Sequence, residues 1–253
     1  MRLSGTDTDS LREEGERPFW ISYADLMTAL MILFLVVMVV ALSAIVKKTE
    51  DILEKSSEVD ERVELEDQRV AATEDVCEYL AQRSKESGRS ELNVDCRLNR
   101  INFGEAGRYD TDQYRPSEFT SEMLADLVPL ILDTAETPMG KRWLKQVIIE
   151  GFTDTDGSYL YNLNLSLRRS EYLMCLLLGG VPEFNVALTP FQRVQVKRLF
   201  LAGGVAFNDM KGTKDESRRV ELKLVFYGVD ERPEDAASYM GKFQDDPADR
   251  GRI

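Results

Sequence analysis

Histidine is absent from all 253 residues, and cysteine occurs only three times, as Cys77, Cys96 and Cys175. The first absence removes the commonest general base and the commonest metal ligand, and three scattered cysteines do not replace them. Zinc or hydrolytic chemistry is therefore not expected, and no metal site is assigned. Basic residues are also in deficit: 32 Lys and Arg stand against 45 Asp and Glu, a formal net charge of −13. With no basic patch to neutralise phosphates, nucleic acid is not an expected partner. Gly203 and Gly204 have no Lys-Ser/Thr after them, so no nucleotide loop is read there. The acidic turn Asp154 to Gly157 fails as a calcium loop. Tyr159 stands where the turn glycine belongs, and Leu165 where the bidentate glutamate belongs. No enzyme active site emerges from the sequence.

What the chain does have is a long apolar run, PFWISYADLMTALMILFLVVMVVALSAIVKK, from Pro18 to Lys48. At about 1.5 Å rise per residue, a helix from Phe19 to Val46 is long enough to cross about 30 Å of hydrocarbon. It exceeds the 7 to 15 apolar residues, roughly, of a cleaved signal peptide. Residues 18–47 are therefore read as a retained single transmembrane helix, with Phe19, Trp20 and Tyr23 as interfacial anchors. Within it lies one carboxylate, Asp25. An aspartate at membrane depth costs about 2.5–3.5 kcal/mol on insertion scales, which makes it a functional candidate. Ser22, Asp25, Thr28 and Ala29 are three or four residues apart and share one helix face. The basic residues Arg2, Arg12 and Arg17 before the run and Lys47, Lys48, Lys55 and Arg62 after it leave the orientation undecided.

Residues 1–17 read as a flexible polar tail. From Ile45 into residues 48–90, apolar side chains keep a seven-residue spacing, Ile45, Ile52, Val59 and then Val63, Val70, Cys77, with a four-residue step between the two sets. A helical stalk, paired or single, and a flexible linker both remain open for this segment. From residue 91 to 228 the pattern predicts a folded domain. Short strands are expected at 92–98 and 100–104, then a helix capped at Ser117 or Thr120 and ending near Glu136. A strand at 143–152, a helix at 160–178 stopped by Gly179 and Gly180, and strands at 198–207 and 218–228 follow. This order of elements predicts an α+β sandwich, with helices on one face of a mixed sheet. Residues 229–253, acidic and containing Pro233 and Pro247, read as a disordered tail.

Two stretches resemble known families. WISYADLMTALMILFLVVM is similar to the transmembrane helix of MotB-type ion-driven stator subunits, where an aspartate after Tyr-Ala carries the ion; here that residue is Asp25. GFTDTDGSYLYNLNLSLRRSEYLMCLLL, residues 151–178, resembles the peptidoglycan-binding motif of OmpA-like domains. Carried over residue by residue, that motif comprises Thr153, Asp154, Asn162, Leu165, Ser166 and Arg169. The resemblance implies that Asp154 and Arg169 grip the diaminopimelate of the peptidoglycan stem peptide. A carboxylate for an ammonium and a guanidinium for a carboxylate suit such a zwitterion. SRRVELKL, residues 217–224, is similar to the closing strand of these domains. Three departures bear on the pocket rim: Ser217 replaces the usual Asn, Ser170 the usual Ala, and Phe152 the usual His or Tyr.

Within the stator group, PFWISYADLMTALMILFLVVM, EGFTDTDGSYLYN and LFLAGGVAFND together resemble the B subunits of Zorya anti-phage defence systems. The resemblance implies a homodimer inside five copies of a multi-helix A subunit. It further implies an inner-membrane location, a cytoplasmic N-terminus and a periplasmic C-terminal domain. It calls for no cofactor, only a transported ion, expected to be H+, with Asp25 as its carrier and Ser22 and Thr28 beside it. In that oxidising compartment Cys77 and Cys96 form either a disulfide or two separate thiols; Cys175 reads as a core residue. A flagellar-type stator subunit and a passive membrane-to-wall tether stay open as alternatives.

Overall fold

The computed structural model describes residues 17–86, 92–179, 188–231, 233–234 and 243–246. Residues 1–16, most of the segment after Glu231, the stalk end at 87–90 and Gly180 lie outside these. The chain divides into two units, Met1–Val63 and Glu64–Ile253.

The first unit is helical throughout its described part. Helix α1 spans Arg17–Glu86, and after Pro18, in its first turn, it contains neither glycine nor proline. Pro18 is tolerated there because the first N–H groups of a helix have no intrahelical acceptor. Between Leu26 and Val46 the large apolar side chains, among them Leu30, Phe34, Val37 and Val40, are exposed on all sides of this isolated helix. Side chains that are apolar all round require lipid or protein around them.

The second unit begins with the last turns of α1, where Val76, Cys77 and Leu80 are buried. Five strands follow: β1 (Asn93–Asp95), β2 (Arg100–Asn102), β3 (Leu144–Phe152), β4 (Phe200–Ala206) and β5 (Val220–Phe226). The helices are α2 (Glu118–Glu136), α3 (Pro138–Trp143), α4 (Tyr159–Leu177), α5 (Pro190–Leu199) and the single turn α6 (Lys214–Ser217). The sheet runs β1-β2-β5-β3-β4, antiparallel except for the β3–β4 pair. The result is the expected α+β class with a mixed sheet. β1 and β2 are shorter than the sequence pattern predicts: residues 96–99 are spent on a turn in which Asn99 takes φ 53°, and Gly104, at φ 60°, opens a 3-10 turn over Gly104–Gly107. Of the two predicted caps, Ser117 closes the start of α2, accepting from the Thr120 N–H at 3.2 Å.

Alternation along β5 sends Val220, Leu222 and Leu224 to the core. They meet Val147 and Ile149 of β3, Leu124, Leu127 and Ile131 of α2, and Leu173, Leu176 and Leu177 of α4. Glu221, on the other face, joins a buried charge cluster. Arg100 Nη1 lies 2.6 Å from Glu221 and 2.9 Å from Glu150, and Arg219 Nε donates to Glu221 at 2.7 Å. The guanidinium of Arg219 also covers the Phe152 ring at 4.0 Å.

Cys77 and Cys96 form a disulfide, which selects the paired reading and ties α1 to the loop after β1. Their sequence separation is 19. Closing a loop of that size removes unfolded-chain entropy worth about 3 kcal/mol. Reduction, or the double variant Cys77→Ser/Cys96→Ser, is therefore expected to lower Tm by about 6–12 °C in a thermal melt. An unchanged Tm would show that the bridge contributes nothing.

Candidate functional site

Strand β3 ends at Phe152 and the chain turns through Thr153 to Ser158 before α4 begins. Two glycines make the approach of α4 possible. A Cβ on Gly151 would lie 2.1 Å from the Ser166 carbonyl oxygen, and one on Gly204 would lie 2.6 Å from Ser166 Oγ. In the turn, Gly157 takes φ 97°, Asp154 Oδ1 accepts from the Asp156 N–H at 3.0 Å, and Ser158 caps the helix. Asn162 Nδ2 donates to the carbonyls of Asp156 and Ser158, at 2.8 and 3.2 Å. Ser166 Oγ donates to Leu163 O at 2.8 Å and accepts from Ala206 N at 3.2 Å. Asn162, Leu165 and Ser166 are buried; Asn162 and Ser166 hold the turn, α4 and β4 together.

Arg169 is buried on the same helix face. Its guanidinium donates to Gln113 O at 2.8 Å, to Phe152 O and to Asp110 O at 3.5 Å, and it lies 4.6 Å above the Tyr109 ring. Burial brings its pKa down to about 10, so it stays charged at neutral pH. No hydrogen bond joins Arg169 to Asp154. The cation on Asp154 is instead Arg218, whose Nη1 donates to Asp154 Oδ2 at 2.8 Å. Nothing local in the SRRVELKL string, residues 217–224, gives this arginine a role. The only signal was its place at the head of the closing strand.

Burial alone would raise the Asp154 carboxyl. The hydrogen bonds from Arg218 and the Asp156 N–H, with the charges of Arg218 and Lys214, outweigh it and hold the carboxyl below the ordinary carboxylate range. Stability from a depressed carboxyl is present above its unfolded value of about 3.9 and is lost as pH falls through the folded value. Two buried oxygens in this cluster, Thr153 Oγ1 and Tyr109 Oη, have no hydrogen-bond partner among the described residues. An unsatisfied buried polar group costs about 1–3 kcal/mol.

In the first unit, Asp25 and Thr28 lie one turn apart on α1 and are exposed. Thr28 Oγ1 donates back to the carbonyls of Ala24 and Asp25, at 2.9 and 2.8 Å. Ser22 is helical; its side chain lies outside those described.

Over 224 residues the chain is 46% identical to the Zorya protein ZorB of Escherichia coli O139:H28, a match taking in 88% of this chain and 87% of that protein. The chain belongs to the ZorB family. Residues 7–55 match a family described as the membrane MotB of the proton-channel complex MotA/MotB, so Ser22, Asp25 and Thr28 all fall inside the matched segment. Among solved structures, this ZorB-family chain is similar to a MotB-like protein from Desulfovibrio vulgaris: 18% identity, 66% of this chain, 99% of that chain, TM-score 0.38. It is also similar to the OmpA-like domain of FopA1 from Francisella tularensis: 16% identity, 51% and 75% covered, TM-score 0.34. Among the described residues one apolar helix is of membrane length, and in a ZorB-family, MotB-matching chain it makes this a single-pass membrane protein.

Proposed function

We propose that this chain is the wall-anchored subunit of a proton-driven rotary motor in the inner membrane, acting in anti-phage defence. One observation carries the reading: a lone carboxylate, Asp25, inside the apolar helix of a ZorB-family chain, within the segment that matches membrane MotB. Asp25 takes up and releases H+ as a surrounding ring of multi-helix A subunits, five copies around a dimer of this chain, changes its contacts. A buried carboxyl favours its neutral form and a polar path favours the charged one, so alternating environments load and unload it. The chain needs no cofactor for this and performs no chemical reaction itself. Its N-terminus faces the cytoplasm and its second unit the periplasm. There Asp154 takes the ammonium of the zwitterionic diamino acid of peptidoglycan, on a turn framed by Thr153, Asn162, Leu165, Ser166 and the buried Arg169. Held to the wall, the dimer gives the ring something fixed to turn against.

Support for the anchor is the oriented Asp154 carboxylate, held at Oδ2 by Arg218 and at Oδ1 by the Asp156 N–H. Full-length chain in detergent is expected to sediment with purified peptidoglycan sacculi, and Asp154→Asn to weaken that binding at least about tenfold, the loss of one charge-assisted contact. Equal sedimentation of both proteins would remove the anchor from this reading.

A further inference from the structure

We infer that Arg218 is a positioning residue of the wall-binding site, aiming the Asp154 carboxylate at the ligand's ammonium group. The inference rests on the wall-binding reading above and adds a residue to it. Arg218 makes three bonds in three directions: to Asp154 Oδ2 at 2.8 Å, to Asp215 Oδ1 at 3.0 Å and to the Tyr109 carbonyl at 3.0 Å. Only a planar guanidinium satisfies three such acceptors at once. Asp215 is itself held by Arg108 at 3.1 Å, so the fork is anchored on its far side. Tyr109, the residue supplying the carbonyl, also lies under Arg169.

Asp154 is thus gripped at both oxygens, Oδ2 by Arg218 and Oδ1 by the Asp156 N–H. A carboxylate has about four acceptor positions. Two remain for a ligand, in a fixed direction. Other charged groups facing the cluster are already engaged. On α4, Arg169 donates to backbone carbonyls; on α6, Lys214 meets Asp156 at 2.5 Å; in the loop before α2, Asp112 accepts from Tyr161 at 2.9 Å. Without Arg218, this buried carboxylate keeps only the Asp156 N–H and the more distant charge of Lys214 to hold it in its ionised form. A neutral carboxyl attracts no ammonium, so binding would fail at a higher pH.

The test is sacculus binding by the full-length chain in detergent, measured from neutral to acid pH, with a thermal melt of each variant. Wild-type binding is measured first, and its absence would overturn the wall-binding reading itself. Given wild-type binding, Arg218→Ala is expected to weaken it about tenfold at pH 7, and to move its acid limb up by about one pH unit. Arg218→Lys, which can reach one acceptor rather than three, is expected to give a smaller weakening and a smaller shift in the same direction. If Arg218→Ala does not fold, the lysine variant decides by that shift. Binding unchanged or tightened would overturn the inference, the latter showing that Arg218 competes with the ligand. Weaker binding with an unmoved acid limb would also overturn it, by leaving Arg218 a purely structural role.

Discussion

Asp25→Asn is expected to bring phage protection down to the level of cells lacking the system, with the protein still present in the membrane at wild-type amounts. The two halves of this result come from one property. Asparagine is close to aspartate in size and cannot titrate, so the helix inserts at least as readily while the proton has no carrier. The membrane potential does work only on a charge that moves, about 2.3 kcal/mol per elementary charge per 100 mV. In the proposed motor, no charge is then exchanged at residue 25 and none of that work reaches the ring. Asp25→Glu keeps a carboxyl one methylene further out and is expected to retain part of the protection. Plaque counts with immunoblots of membranes measure both quantities. Full protection by the asparagine variant would favour the passive tether, in which the wall-binding unit matters and the carboxylate does not. Restored swimming of a stator-less strain would favour a flagellar stator subunit instead.

Replacing Glu221 by alanine should produce the largest loss of stability in the second unit. Glu221 is 2% exposed and sits between two arginines, with Asn102 Nδ2 donating to it at 3.1 Å. Arg219 would keep Asp209 at 3.0 Å and Arg100 would keep Glu150, but the carboxylate they share would be gone from the face of the sheet. Removing one partner from a buried ion cluster costs about 3–5 kcal/mol, because the charges left behind stay desolvated. That corresponds to a Tm lower by about 10 °C for a unit of this size. Glu221→Gln keeps the shape and some hydrogen bonds, and should lose less. A loss below about 1 kcal/mol for the alanine variant would mean that water or rearrangement satisfies both arginines.

Several elements were legible because their signals are local. Ser117, the 3.6-residue spacing of Met123, Leu124 and Leu127, and the halt before Pro138 placed α2 correctly. Alternation placed β5, and the turn after β3 led into α4 as expected. Helices α3 and α5 lie outside the elements that periodicity predicts, although both carry a written start. Thr137-Pro138 and Thr189-Pro190 each put a capping hydroxyl before a proline at the first helical position, and Gln192 completes a capping box. Their brevity hid them, since six and ten residues give little periodicity to count. The Arg100, Glu150, Glu221, Arg219 cluster had no local signal. Its members lie on β2, β3 and β5 and, for Arg219, on the residue before β5, and only the register of β2 against β5 and β5 against β3 brings them together.

The sequence by itself determined the apolar helix of membrane length, the lone carboxylate within it and the turn that leads from β3 into α4, because each is a matter of hydropathy or short spacing along one chain segment. Tertiary structure decided the rest of the site. It buried Arg169 among backbone carbonyls, closed Cys77 onto Cys96, and set Arg218, 64 residues further along, on Asp154. Which cation meets a buried carboxylate depends on how strands register and where helices pack, and neither can be counted off residue by residue.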